Sequence, residues 1–105
     1  MQRGDVFRFK VPKGVGHEHL GVRHGVIVQA DEFLPRSVVL VAPTSRSARA
    51  ATFRPRVLVD GDETRVLAEQ LGAIDVQRLG RRASRLTAEE LWSVDEALET
   101  ILGLS

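Results

Sequence analysis

The stretch Thr87–Gly103, TAEELWSVDEALETILG, decides how the chain is to be folded. Thr87 followed three residues later by Glu90 is a capping box, in which hydroxyl and carboxylate satisfy each other's backbone N–H groups. Leu91, Val94, Leu98, Ile101 and Leu102 then recur at helical spacing, and Gly103 stands where a left-handed cap closes a helix. Glu89 and Glu90 lie at the positive end of the helix dipole. Trp92 falls off this stripe, toward the rim of a sheet or a partner. No other segment carries the same periodicity, so a single helix closes the chain.

Upstream, short apolar runs alternate with turns. The sequence predicts strands over Asp5–Lys10, Gly25–Gln29, Ser37–Ala42, Arg56–Val59 and Val66–Leu71. Pro43 is expected to end the third. Asp60-Gly61-Asp62 and the region of Asp75 read as turns, and Asp31–Pro35 as a break or one helical turn. Leu79–Leu86, LGRRASRL, is an exposed strand or an arginine-rich loop. Parallel βαβ topology is unsuited, because no crossover helix separates the strands. The expectation is a mainly β fold with α: a small antiparallel barrel carrying a C-terminal helix, one domain over residues 1–105.

There is no cysteine, hence no disulfide framework or Cys-ligated zinc. The opening MQRGDVFRF has no signal-peptide core and no stretch is long enough to span a bilayer, so a cytoplasmic protein with no membrane partner is expected. Residues 1–86 hold fifteen basic and nine acidic side chains, +6, while residues 87–105 hold five acidic and none basic, −5. Thirteen of the basic residues are arginine. Arginine grips phosphate bidentately, so a basic body fits a nucleic-acid binder, although a plain preference for arginine gives the same count.

The chemistry gathers in Gly14–Asp31, GVGHEHLGVRHGVIVQAD, a polar loop running into an apolar strand. His17 and His19 alternate as in an HxH metal pair, but no distant cluster completes a site, and no metal or cofactor is expected. No Gly-x-Ser-x-Gly elbow and no P-loop is present. RNA cleavage without metal needs a group to take the 2′-hydroxyl proton, one to protonate the 5′-oxygen, and a cation with hydroxyls to stabilise the phosphorane. Arg23 beside His17, Glu18 and His19, with Thr44 or Ser45 as hydroxyl, supplies those types.

Four blocks in order carry a resemblance to the MazF/PemK/Kid family of toxin endoribonucleases. They are Arg3-Gly4-Asp5-Val6-Phe7, Gly16-His17-Glu18-His19-x-Gly21-x-Arg23, Ala42-Pro43-Thr44-Ser45, and Glu69-Gln70-x-x-x-Ile74-Asp75 with Arg78-Leu79. The closing helix is similar as well. The resemblance implies an SH3-like barrel working as a homodimer. It implies cleavage of single-stranded RNA at specific sequences to a cyclic phosphate and a 5′-hydroxyl, and inhibition by an antitoxin with an acidic, disordered tail. By position Arg23 and Thr44 match the family's catalytic pair, His17 the histidine of the Kid-like branch, and Glu69 that branch's proposed base. Leu67 replaces an arginine of that branch, His19 a glutamine and His24 a proline. His24 either stacks on a base or caps the strand. Arg46 and Arg49 are expected to line the RNA path with Ser45 and Gln70. Two other readings compete: a gyrase-poisoning toxin of the same fold, as in the CcdB branch, and a non-catalytic barrel that binds RNA or a peptide.

Overall fold

The computed structural model describes residues 1–11 and 21–104. Among these residues seven strands and one α-helix follow in order: β1 (Asp5–Val11), β2 (Gly21–Ile27), β3 (Val38–Ser45), β4 (Arg56–Val59), β5 (Asp62–Val66), β6 (Gly72–Asp75), β7 (Leu79–Arg85) and α1 (Ala88–Leu102). Every pairing is antiparallel, and the strands run β4-β5-β3-β2-β1-β7 with β6 also paired to β3. The sheet curls into a half-barrel, as expected of a mainly β chain with a terminal helix.

The apolar runs explain the curl. Val26 and Ile27 are neighbours on β2 and so face opposite sides, yet both are fully buried. Val26 packs with Val6, Ala42, Val57, Val66 and Val94, while Ile27 packs with Val39 and Val41 on the other face. A strand buried on both faces reads as a continuous hydrophobic run rather than an alternating one.

β3 is the hinge of the arrangement. Over Val38–Val41 its outer edge pairs with β6, and at Thr44 and Ser45 it pairs with β5 instead. Pro43 therefore does not end the strand, contrary to the sequence expectation. It sits where the edge changes partner, and its carbonyl still accepts the Leu67 N–H at 2.8 Å. A missing N–H costs nothing where no partner strand asks for it.

Three further boundaries differ from the reading of the sequence. β2 begins at Gly21, not Gly25, because pairing with β1 (Phe9 with Arg23, Arg8 with His24) draws polar residues into the ladder. The expected strand Val66–Leu71 is instead the end of β5 plus a 3₁₀ turn at Ala68–Gln70, and β5 is made from the polar run DETRV. Gly72–Asp75, read as part of a turn, is β6. Leu79–Arg85 resolves as a strand.

The Asp60-Gly61 turn between β4 and β5 has φ of 52° and 82°, the positive values of a two-residue hairpin whose twist suits its strands. α1 carries the anticipated capping box and its left-handed Gly103. It seats Val94 and Ala97 on the half-barrel, and Trp92 is 67% exposed. Arg3 ties this end together, donating to Asp95 at 2.5 Å and to the Val28 carbonyl at 2.8 Å. Asp5, buried, accepts from Arg85 at 2.9 Å. The Arg3-Gly4-Asp5 motif is thus spent on structure.

Candidate active site

A cavity of about 340 Å³ opens where β2, β3 and the β4–β5 hairpin meet. Arg23 and His24 reach it from β2, Thr44 and Ser45 from the far end of β3, and Arg46 and Ser47 from the loop that follows. Asp60, Asp62 and Thr64 close it from the hairpin. Strands thus supply most of the wall, which fixes side chains more tightly than a loop does.

Arg23 and Thr44 are directly linked. The Arg23 guanidinium donates through Nη2 to the Thr44 carbonyl at 3.2 Å. The Thr44 hydroxyl donates to the His24 carbonyl at 3.3 Å. Gly25 lets the two strands come this close: a Cβ there would stand 2.3 Å from Val41 Cγ1 and 3.0 Å from Phe9 Cε1. The Ser45 hydroxyl, buried, shares a 3.3 Å hydrogen bond with that of Ser47.

Two polar atoms of this wall, His24 Nε2 and Thr64 Oγ1, are buried without a hydrogen-bond partner among the described residues. Buried polar atoms are normally paired, so these two are unmet hydrogen-bonding capacity in the residues that line the cavity. The His24 pKa is lowered, chiefly by burial. Asp60 opposes that shift, and the positive charges of Arg8, Arg81 and Arg46 add to it. His24 therefore enters the site as a neutral ring, one nitrogen donating and the other accepting.

The carboxylates here are each faced by a cation. Asp62 lies 3.5 Å from Arg46 and Asp60 3.6 Å from Arg81, all well exposed. Exposed pairs this long hold little energy, so Arg46 is free to exchange Asp62 for a phosphate. The wall as a whole offers cations, hydroxyls and a neutral imidazole, a set suited to a phosphodiester and its transition state.

The remaining residues singled out from sequence are placed as follows. His17, Glu18 and His19 lie outside the described residues. Arg49 and Gln70 are exposed and are not among the residues lining the cavity. Glu69 does not line it either; its Oε2 accepts from Arg54 Nε at 2.9 Å and Nη2 at 2.6 Å. Ser47, Asp60, Asp62 and Thr64 were not singled out. The Asp60-Gly61-Asp62 turn was legible in the sequence, but only the curl of the sheet brings that hairpin over Thr44.

Fold and cavity together define a class: a curled antiparallel half-barrel with one closing helix and an arginine–hydroxyl pocket at the end of the sheet. The family model described as "PemK-like, MazF-like toxin of type II toxin-antitoxin system" matches residues 2–102, and the chain belongs to that family. It is 36% identical over 104 residues to a Mycobacterium tuberculosis protein named as a candidate toxin, Rv3098A, covering 97% of each chain. It is 32% identical over 113 residues to endoribonuclease EndoA of Bacillus subtilis, covering 99% of this chain and 96% of that one. Among solved structures, MazF of Deinococcus radiodurans superposes with a TM-score of 0.83 at 20% identity, covering 98% of this chain and 96% of the other. A mycobacterial endoribonuclease in complex with its cognate antitoxin gives 0.82 at 20%, covering 100% and 97%.

Proposed function

We propose that this protein is the toxin of a toxin–antitoxin pair and a metal-independent endoribonuclease that cuts single-stranded RNA at specific sequences. The observation that carries the reading is the placement of the Arg23 guanidinium and the Thr44 hydroxyl on one cavity wall, linked through the backbone of Thr44 and His24. Relatives named endoribonuclease support it across nearly the whole chain.

The substrate's 2′-oxygen attacks the adjacent phosphorus while losing its proton. The P–O5′ bond breaks, leaving a 2′,3′-cyclic phosphate, and the departing 5′-oxygen takes up a proton. Charge builds on the non-bridging oxygens in between. Arg23, whose guanidinium keeps its proton at any working pH, binds and neutralises them. Thr44 turns its weakly held hydroxyl from the His24 carbonyl to the same oxygens. Arg46 and Ser45 hold the flanking sugar-phosphate, and the neutral His24 ring stands beside a base. Proton transfer falls to Glu18 or His17, residues of the right chemistry in the loop that leads into β2.

The working unit in this reading is a homodimer. Its inhibitor is a cognate antitoxin whose acidic tail competes for the same cations. The experiment is to incubate the pure protein with a long defined RNA in chelator and map the new 5′ ends. Discrete cuts bearing 5′-hydroxyls are expected, and a DNA-supercoiling assay run beside it should show no effect. Inhibited supercoiling with intact RNA would replace this reading with gyrase poisoning.

A further inference from the structure

A second cavity, of about 500 Å³, opens between β1 and the segment that leads into β7. Arg8, Lys10, Arg78 and Arg81 line it, with Gln77 at its side and Phe9 and Leu79 paired in register behind. Among the described residues, no carboxylate lines it. The cations differ in how far they are committed. Arg78 donates to the Lys10 carbonyl at 2.8 Å and so pins the wall. Among the described residues, Arg81 has only its long, exposed contact with Asp60. Arg8 and Lys10 make no side-chain hydrogen bond or ion pair with the described residues.

The two cavities adjoin, because Arg81 of the second lies 3.6 Å from Asp60 of the first. Arg8 is the register partner of His24 across β1 and β2, and His24 lines the first cavity. Directly opposed residues in such a pair stand side by side. Arg8 and Lys10, two apart on one strand, share a face. The result is a group of cations around His24, from Arg46 on the side of the first cavity to Arg8, Arg81 and Lys10 on the side of the second.

From this continuity we infer that the second cavity is a backbone-phosphate subsite for the RNA, holding nucleotides that flank the scissile bond. The inference rests on the ribonuclease reading above and names where the rest of the strand lies. A nucleic-acid strand presents one phosphate per nucleotide, so successive phosphates meet different cations of this group. An acidic peptide is the competing occupant. RNA is favoured because the cleft continues directly from the cavity that would take the phosphodiester.

The test is the double substitution Arg8→Gln, Lys10→Gln, with Arg81→Gln as a second, separately folded variant, each checked by its melting curve. Cleavage is measured on a long RNA and on a short oligonucleotide spanning only the cut site. Binding of a version made uncleavable by a 2′-deoxy residue at the cut is measured against salt. The double variant should lose at least about tenfold more kcat/KM on the long RNA than on the short one, and its log–log salt slope should shrink by about 1.4, at about 0.7 per lost phosphate contact. Equal losses on both substrates, or an unchanged slope, would overturn the proposal. So would an unchanged RNA slope with weakened binding of polyglutamate, which would make the cleft a peptide site. Should the wild-type protein cut no RNA, the ribonuclease reading fails while the salt slope still decides whether this cleft binds the strand. Arg8→Lys, which keeps the charge, should restore most of the loss; failure to do so counts against an electrostatic role.

Discussion

Both bonds from the Arg54 guanidinium to Glu69 end on the same carboxylate oxygen, Oε2, at 2.6 and 2.9 Å. Arg54 also donates to the Arg49 carbonyl, accepts from Arg65 through its own carbonyl, and lies 5.6 Å over the Phe53 ring. Glu69 thus anchors the arginine that organises the loop after Thr44. Both side chains are about one-quarter exposed, which tempers the pair's worth. Glu69→Gln should lower stability by about 1–2 kcal/mol in urea unfolding. Its kcat should fall far less than that of Thr44→Val. A loss of turnover equal to that of Thr44→Val would instead make Glu69 a catalytic group.

Thr44→Val keeps the shape of the side chain and removes the hydroxyl. Loss of one donor at a developing oxyanion typically costs about 10²–10³ in kcat. A fall of that order is expected, measured by single-turnover cleavage, with KM changing little. An unaltered kcat would remove Thr44 from the mechanism.

Gly25→Ala tests how the site is assembled. The added Cβ would collide with Val41 and Phe9, and overpacking of this kind costs about 1–3 kcal/mol. The urea midpoint should fall accordingly. Cleavage should weaken with it, because β2 and β3 carry Arg23 and Thr44 across that contact.

The lowered pKa of His24 has a consequence for stability. Above the ordinary histidine value the ring is neutral in both folded and unfolded chains. As pH falls below that value the unfolded chain takes up a proton that the folded one resists, so stability is lost until the folded pKa is passed. His24→Asn should remove this part of the acid sensitivity. The check is the wild-type minus variant difference in melting temperature between pH 8 and 5, and a flat difference would contradict the buried placement.

The helix was the most legible element, because capping, periodicity and Gly103 all act within one segment. The turn at Asp60-Gly61 was legible for the same reason. β5 was not, since DETRV becomes a strand only by pairing with Val57 and Val59 on β4. Pro43 misled because its effect depends on which edge lacks a partner, a property of the sheet and not of the residue. Arg23 and Thr44 could be singled out by chemistry and resemblance. Their meeting is a matter of register between β2 and β3. The four other polar lining residues, Ser47, Asp60, Asp62 and Thr64, come from segments whose local sequence carries no sign of a site.

The most direct test compares wild type with Arg23→Ala on one defined RNA in chelator, with melting curves run alongside. Wild type should yield discrete fragments ending in cyclic phosphate and beginning with 5′-hydroxyl, and the variant, equally well folded, should yield none. Cleavage by Arg23→Ala at the wild-type rate, or fragments carrying 5′-phosphates, would contradict it.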